Sequence, residues 1–391
     1  MKEVPEIINL LRKEFARIYG IDGKETIIRS PGRINLIGEH TDYNNGFVLP
    51  SAIDRAIYLG IAPNSGFEAN ISSLDFNEDL SFDVRNPAKS NKTWANYLLG
   101  IVNELNRAHR HLEGFDCVFS GDIPIGAGMS SSAALEVGLA FALNEVFYLN
   151  IGRHELARFA QRAENHFVGV KCGIMDQFAN LFSKGESVLH LDCRSMEYEY
   201  IPFTTRDLTF VLCDTGVKHS LTSSEYNLRR AQCERGVSLL KRYIPQVQSL
   251  RDADLVMLDE YKEELGETVY KRCSYVVEEN CRVESASRYL RKNDYAGFGQ
   301  FLYESHQGLK NKFEVTCREL DVLVDTASMI DGVLGARMMG GGFGGCTLNL
   351  LEHDSVAEFK RRISDTYLDK TGKRPQLYQC ALVSGTGVVP D

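Results

Sequence analysis

The sequence has no stretch that would span a membrane or direct export. Its longest apolar run, from Ala133 to Leu143, is interrupted by Glu136 and falls short of the roughly 18 residues that a membrane span needs. The first residues, MKEVPEIINLLRKEF, mix acids into the apolar positions and lack the apolar core and cleavage site of a signal peptide. We therefore expect a cytoplasmic protein.

Cysteine pairs and excess positive charge are missing too. The 10 cysteines are scattered, with no C-x-x-C pair and no Cys/His cluster at zinc spacing, which predicts reduced and mostly buried thiols. Acidic residues outnumber basic ones by 53 to 44, and the net charge is −9. Because nucleic acid and anionic membranes would not be attracted to such a chain over long range, we expect neither as a partner. We also expect a monomer.

Internal repeats and low-complexity linkers are absent as well. The 391 residues, 43% of them hydrophobic, suffice for two or three domains. Apolar periodicity predicts helices at about 94–105, 131–148 and 154–167, and a mainly helical region from 223 to 330. Predicted strands occur among these helices without the regular alternation of a doubly wound sheet, which favours an α+β fold. We place a domain boundary near 195–207.

One stretch has the composition of an anion-binding loop: GDIPIGAGMSSSAALEVGLA, residues 121–140. A helix N-terminus offers unpaired N–H groups and a partial positive charge, so it attracts phosphate even without a lysine. The glycines allow close backbone approach, and the three serines add hydroxyls that can donate or ligate Mg²⁺. Walker, protein-kinase and dinucleotide signatures are absent. Taken alone, the stretch is also typical of a Gly/Ser turn that caps a helix.

A second stretch, SPGRINLIGEHTDYNNG at residues 30–46, concentrates polar groups beside a turn. Within ten residues it contains Arg33, Glu39, His40 and Asp42. Burying these groups without partners would be costly. A loop that holds a polyhydroxyl ligand would explain them, and so would an exposed, charged turn.

A third stretch, MMGGGFGGCTLNL at residues 338–350, has five glycines in six residues before a strand. Together the three stretches resemble the three motifs of the GHMP small-molecule kinases. GRINLIGEHTDYNNG resembles the signature of the galactokinase branch, PIGAGMSSSAA is similar to the ATP loop, and GGGFGGC is similar to the C-terminal glycine motif. The order of the three motifs and the distances between them along the chain agree with the family, and the resemblance extends from about residue 25 to the C-terminus. Met129, where leucine is usual, is a conservative departure.

The resemblance implies a two-domain α+β kinase fold with its active site in the cleft between the domains. Residues 1–200 would form a mixed α/β domain with the signature and the ATP loop, and 201–391 a ferredoxin-like domain with the glycine motif. The implied reaction transfers the γ-phosphoryl group of ATP, with Mg²⁺ as cofactor, to the anomeric hydroxyl of D-galactose, giving galactose 1-phosphate and ADP. A kinase for N-acetylgalactosamine or another pyranose, and a galactose sensor without catalysis, are the alternatives.

The resemblance also implies roles for individual residues. The catalytic pair would be Asp176, in CGIMDQF, and Arg33. The sugar-binding residues would be Glu39, His40, Thr41, Asp42, Gly173 and Tyr226. The nucleotide-binding residues would be Gly126, Ala127, Gly128, Met129, Ser130, Ser131 and Ser132. Mg²⁺ would be held by Ser132 and Glu164, in RAENHFVG.

Taken singly, these residues have ordinary interpretations. Asp176 could be an ordinary acid at the start of a helix, and Glu164 an ordinary surface charge. Tyr226 could simply belong to the apolar side of an amphipathic helix. Trp94 is expected in the core or in a pocket wall. Because phosphoryl transfer has a loose transition state, the attacking oxygen need not lose its proton early. We therefore expect Asp176 to orient the hydroxyl and to accept its proton late.

Overall fold

The computed structural model describes residues 4–20, 23–124, 126–217 and 222–390, so Ile125 of the serine stretch lies outside the described residues. The helices in this part of the chain are α1 (Val4–Tyr19), α2 (Thr93–Arg107), α3 (Ser131–Val146), α4 (Arg153–Arg162), α5 (Met175–Phe182), α6 (Thr222–Tyr243), α7 (Leu255–Glu260), α8 (Lys262–Arg291), α9 (Tyr295–Gly308), α10 (Arg318–Ala327) and α11 (Val356–Thr371). The strands are β1 (Thr26–Asn35), β2 (Phe47–Val48), β3 (Pro50–Pro63), β4 (Glu68–Ser73), β5 (Glu78–Asp83), β6 (Phe115–Gly121), β7 (Ser187–Asp192), β8 (Tyr198–Pro202), β9 (Leu208–Asp214), β10 (Val333–Met338), β11 (Cys346–Glu352), β12 (Gln376–Cys380), β13 (Leu382–Val383) and β14 (Gly387–Val388).

The first half of the chain is organised around a seven-stranded sheet of order β14-β1-β3-β6-β4-β5, with β13 also paired to β3. Its pairs are antiparallel except β4 with β6. Helix α3 packs on this sheet because it is apolar on all sides, and its residues 133–143 are all buried. A smaller sheet of order β2-β7-β8 joins the two residues that follow the signature stretch (residues 30–46) to the segment after α5.

The second half of the chain contains a four-stranded antiparallel sheet of order β10-β11-β9-β12. Along the chain, strand β9 is followed by helices α6 to α10, strands β10 and β11, helix α11 and finally strand β12. This connectivity and strand order are those of a ferredoxin-like unit. The α+β architecture with a ferredoxin-like second half is therefore confirmed.

The end of the chain returns to the first sheet. Strand β13 pairs with β3 through Leu382 and Val383, and β14 pairs with β1 through Gly387 and Val388. The largest apolar cluster contains residues from both halves, so one core is continuous across them. The boundary near residue 200 stays a prediction; β8 ends at Pro202 and β9 begins at Leu208.

The predicted helix at 154–167 ends earlier than its apolar pattern suggests. The α-helix stops at Arg162, and a π-helical turn continues from Ala163 to Val168. Such turns widen the helix by one residue and often occur at functional sites. This turn carries Glu164, whose side chain is buried.

Two predictions about the chain's environment can be compared with the structure. No helix of the described ranges has both the length and the apolar character that crossing a bilayer requires. All ten cysteines are free thiols, and most are buried, as the sequence predicted.

Candidate active site

Three adjoining cavities lie where the three sequence stretches meet. The glycine cavity, of about 400 Å³, lies between residues 126–132 and residues 339–345. The acidic cavity, of about 310 Å³, is lined by the side chains of the signature stretch and of the segment around Asp176. The aromatic cavity, of about 780 Å³, extends from the start of α3 towards α2.

The cavities are connected by shared residues. Arg33 and Asp176 line both the glycine and the acidic cavities, whereas Ser131 and Ser132 line both the glycine and the aromatic cavities. The glycine cavity is therefore in the middle. An elongated ligand could occupy it and the aromatic cavity together, and present one end to a second ligand in the acidic cavity.

The walls of the glycine cavity are two backbone loops in close contact. Gly126 and Gly128 have φ values of 81° and 78°, and Gly340 has 83°, a region that favours glycine. A Cβ added to Gly340 would lie 3.4 Å from the carbonyl oxygen of Gly128. That distance is an ordinary van der Waals contact, so the positive φ values, and not crowding, favour glycine at these positions. The loops lie beside the N-terminus of α3, whose unpaired N–H groups would attract an anion.

The predicted nucleotide-binding residues are distributed between this wall and the core. Gly126, Gly128 and Met129–Ser132 line the glycine cavity. Ala127 is fully buried in the apolar core beneath the loop, so its side chain is structural. Ser130 precedes α3 in a left-handed conformation, with φ 58°. Its hydroxyl donates to Asp176 instead of capping the helix.

Arg33 and Asp176 form a bidentate ion pair at the junction of the glycine and acidic cavities. Nε of Arg33 donates to Oδ1 of Asp176 at 2.8 Å, and Nη2 donates to Oδ2 at 2.9 Å. Nη1 of Arg33 donates to the carbonyl of Gly128 at 2.6 Å. Burial lowers the pKa of Arg33, but the contact with Asp176 outweighs it and raises the pKa overall. A fixed cation thus lies beside the serine loop of residues 126–132, together with an oriented carboxylate.

Glu39 is buried at the back of the acidic cavity with protein donors on both oxygens. Oε1 accepts from Nη2 of Arg337 at 2.8 Å and from the N–H of Gly340 at 2.7 Å. Oε2 accepts from Nδ2 of Asn35 at 2.5 Å. Because a carboxylate has about four acceptor sites, one remains for a ligand in the cavity.

His40 and Tyr226 form one aromatic side of the acidic cavity, with ring centroids 5.3 Å apart. Nδ1 of His40 lies 2.8 Å from the hydroxyl of Tyr43. Burial lowers the pKa of His40 to about 3, so the imidazole is neutral at physiological pH. A neutral ring can donate from one nitrogen and accept at the other.

Asp42 and Gly173 are in direct contact at another side of the same cavity. A Cβ added to Gly173 would lie 2.0 Å from Oδ2 of Asp42, so glycine is required for the carboxylate to lie there. Burial and then the charge of Asp176 raise the pKa of Asp42 to about 6. Gly173 therefore fixes the position of Asp42.

Thr41 is the one predicted sugar-binding residue that the structure places away from the acidic cavity. Its side chain is fully buried, and its hydroxyl lies 2.7 Å from the carbonyl oxygens of both Gly38 and Phe47. These contacts hold the turn that carries His40 and Asp42. A direct sugar contact by Thr41 is not supported, because its hydroxyl proton is used by the backbone.

Oxygen donors suited to a magnesium ion are present at the junction of the three cavities. Glu164 is buried, accepts from Nε2 of Gln177 at 2.8 Å, and is in hydrogen-bonding contact with the hydroxyl of Ser132. Burial and then Asp176 raise the pKa of Glu164 to about 7. The described residues hold no cluster of three or more His, Cys, Asp or Glu side chains that could bind a metal. One carboxylate and one hydroxyl suit Mg²⁺, which keeps several waters and takes further ligands from phosphates.

Sequence reasoning missed Glu136, the acid that interrupts the apolar run of α3. Its side chain is fully buried. Burial, followed by the neighbouring Glu164, raises its pKa well above the usual range. An ionisable residue within a buried apolar helix was the signal available in the sequence.

The aromatic cavity was also missed, because no motif marks the strands and loops that form it. Phe76 follows β4 and lies parallel to Trp94, with ring centroids 6.2 Å apart. Nε1 of Trp94 donates to Oε2 of Glu78 at 2.7 Å. Trp94 is thus part of a pocket wall, one of the two locations expected for it.

Comparison with known proteins agrees with this arrangement. Residues 13–63 match the galactokinase galactose-binding signature, 96–184 the N-terminal domain of GHMP kinases and 286–369 their C-terminal domain. The chain is 40% identical to a galactokinase of Roseiflexus sp. (strain RS-1), with 97% of each chain covered, and 41% identical to one of Chloroflexus aggregans, with 96% of each covered. The chain belongs to the galactokinase family.

Solved structures support the same family. The galactokinase of Lactococcus lactis complexed with galactose has a TM-score of 0.94 to this chain and 35% sequence identity, covering 98% of this chain and 100% of that one. The mevalonate kinase of Methanococcus jannaschii, at 20% identity and a TM-score of 0.64, shares the fold. This member of the galactokinase family is an ATP-dependent sugar kinase.

Gly173→Ala tests the contact with Asp42. The new methyl group displaces the carboxylate, so we expect KM for the sugar acceptor to rise at least tenfold while KM for ATP changes less than twofold. Steady-state kinetics measure both. Gly185→Ala is the matched control, since a Cβ there makes only ordinary contacts of 3.8 Å or more. An unchanged sugar KM in Gly173→Ala would exclude this role of the glycine.

The raised pKa of Asp42 predicts acid inactivation. Below about pH 6 the carboxyl gains a proton in the folded chain and loses an acceptor. We therefore expect kcat/KM for the sugar acceptor, measured at saturating ATP, to fall about tenfold per pH unit below the pKa. Asp42→Asn should have a lower kcat/KM for the sugar acceptor, and this kcat/KM should change less between pH 5 and 7 than in the wild type. A wild-type profile that stays flat down to pH 5 would contradict the assignment.

Proposed function

We propose that this kinase transfers the γ-phosphoryl group of MgATP to the anomeric hydroxyl of D-galactose, giving galactose 1-phosphate and ADP. Adenine would occupy the aromatic cavity, the triphosphate the glycine cavity and galactose the acidic cavity. The observation that carries this proposal is the position of Arg33 and Asp176, which line both the glycine and the acidic cavities. A phosphoryl group and an acceptor hydroxyl would therefore meet at this ion pair.

The predicted catalytic roles fit the geometry of that pair. Both oxygens of Asp176 are held, by Arg33 and by the hydroxyl of Ser130, so the carboxylate has one orientation. A carboxylate fixed in this way orients an acceptor hydroxyl and receives its proton late in a loose transition state. Arg33, buried and always charged, neutralises charge on the transferring group.

The proposed sugar site uses the remaining acidic-cavity residues. Glu39 and Asp42 would accept hydroxyl hydrogen bonds, and neutral His40 would donate or accept one. Tyr226 would cover one face of the ring, and Gly173 would approach it by backbone. Thr41 is reassigned to holding the turn.

Mg²⁺ is proposed at Ser132 and Glu164, completed by phosphate oxygens and water. The buried carboxylate supports this, because burial and then the charge of Asp176 disfavour its ionised form, which a bound divalent ion would favour. When bound, the ion neutralises phosphate charge. We also infer two domains divided near residue 200, a monomer and a cytoplasmic location, the last supported by the free thiols.

A sugar panel tests the proposed reaction. With MgATP, we expect ADP release in a coupled assay to require galactose and to be at least tenfold slower with glucose or N-acetylgalactosamine. Chelation of Mg²⁺ by EDTA should abolish turnover, and restored Mg²⁺ should recover it. Faster turnover of N-acetylgalactosamine would assign the other sugar, and galactose binding without ADP release would indicate a sensor.

Asp176→Asn tests the catalytic assignment. The amide keeps the size of the side chain but cannot accept the proton, so kcat should fall on the order of 10²-fold or more. The affinity for ATP should change little. Asp122→Asn is the control, since Asp122 pairs with Arg55 away from the acidic cavity. If kcat of Asp176→Asn stays within a few-fold of wild type, Asp176 is not the proton acceptor.

A further inference from the structure

Arg337 is the largest side chain that the structure buries completely. It belongs to β10, in the four-stranded sheet, just before the glycine loop of residues 339–345. Charged side chains are almost never buried completely unless they are paired. The partners of Arg337 therefore indicate what it does.

Four N–H groups of Arg337 have acceptors. Nε donates to the carbonyl of Leu36 at 2.6 Å, and Nη2 donates to the carbonyl of Asn35 at 2.5 Å. Nη2 also donates to Glu39 at 2.8 Å, and Nη1 to the carbonyl of Met338 at 2.8 Å. Arg337 thus connects the end of β1, in the first sheet, to the strand that leads into the glycine loop.

Glu39 extends this connection to both ligand cavities. Its carboxylate lines the acidic cavity, and the oxygen that accepts from Arg337 also accepts from the N–H of Gly340. Gly340 lines the glycine cavity as well as the acidic cavity. A ligand that fixes Glu39 from one cavity therefore also fixes a loop residue of the other.

We propose that Arg337 is a positioning residue that couples sugar binding to nucleotide binding through Glu39 and Gly340. This inference rests on the proposed function, in which galactose occupies the acidic cavity and the triphosphate the glycine cavity. A galactose hydroxyl that donates to Glu39 restrains the carboxylate, which in turn holds Gly340 in the conformation that receives phosphate. Galactose thereby pre-organises the nucleotide site, and linkage requires that the nucleotide tightens galactose binding by the same factor.

Arginine is required for this role because its acceptors lie in several directions. A planar guanidinium directs N–H groups to both sides of the fork, whereas a lysine ammonium donates from a single point. Lysine at position 337 keeps the charge beside Glu39 but cannot serve the carbonyls of Asn35, Leu36 and Met338 together. Arg337→Lys would therefore keep the positive charge beside Glu39 but lose the set of hydrogen bonds that positions the surrounding backbone.

The test measures binding in the absence of turnover. Isothermal titration gives the Kd of a non-hydrolysable ATP analogue with Mg²⁺, without and with saturating D-galactose. In wild type we expect galactose to tighten the analogue at least fivefold, within the usual range of coupling between sites. In Arg337→Lys we expect this factor to fall at least threefold. Some coupling remains because Arg33 and Asp176 line both cavities.

Arg272→Lys controls for loss of a buried arginine. Arg272 is 3% exposed, donates to Gln232 and Glu314, and does not line the three cavities. Its replacement should reduce thermal stability but leave the coupling factor at the wild-type value. An equal loss of coupling in Arg272→Lys would assign the effect to general destabilisation and overturn the proposal.

The remaining outcomes separate this inference from the proposed function. If Arg337→Lys shows the same coupling factor as the wild type, the inference is overturned. It is also overturned if the wild-type protein phosphorylates galactose but galactose does not change its affinity for the analogue. Failure of wild type to bind galactose overturns the proposed function itself. If Arg337→Lys does not fold, the coupling factor is measured in Glu39→Gln instead, because an amide has one acceptor oxygen fewer than a carboxylate. Full coupling in Glu39→Gln would overturn the inference.

Discussion

The arrangement of the site depends on one partly buried ion pair, between Arg33 and Asp176. The pair joins β1 to α5 and lies beside the serine loop, whose Gly128 carbonyl and Ser130 hydroxyl bond to the same two side chains. Arg33 is buried and Asp176 is partly exposed, so removing Asp176 would leave a buried cation without compensation, which is far more costly than losing an exposed pair. The pair therefore fixes three segments of the chain around one point, and this point is where the glycine and acidic cavities meet.

The carboxylates of the site differ in their hydrogen-bonding and charged partners. Asp42 and Glu164 lie near Asp176 without an arginine of their own, and burial together with that charge raises the pKa of both. Glu39 is equally buried but is bonded to Arg337 and two further donors. The unpaired carboxylates are the ones to which a sugar hydroxyl or a metal ion would bring compensation. In the proposed complex, Mg²⁺ would bring positive charge to Glu164 and the sugar would donate hydroxyl hydrogen bonds to Asp42.

Sequence reasoning predicted those parts that short motifs or periodicity encode. Periodicity predicted the amphipathic α2 and the apolar α3, whereas the ferredoxin-like second half was implied only by the resemblance to the kinase family; all three are confirmed. The aromatic cavity was not predicted, because it arises where the β4–β5 turn, β6 and α2 approach one another and no local pattern records such contacts. The return of β13 and β14 to the first sheet is likewise a long-range pairing. Two-residue strands are too short to show an alternating pattern.

The signature stretch shows why a motif does not assign individual contacts. Thr41 and Asp42 are adjacent in the sequence, yet the hydroxyl of one is directed to backbone carbonyls and the carboxylate of the other lines the cavity. His40, directly before them, has a φ of 63° and turns the chain at the entrance to this segment. A tight turn has to satisfy its own buried polar groups before it can present others to a ligand. Part of such a motif is therefore committed to holding its own shape, and only coordinates separate that part from the residues that face the ligand.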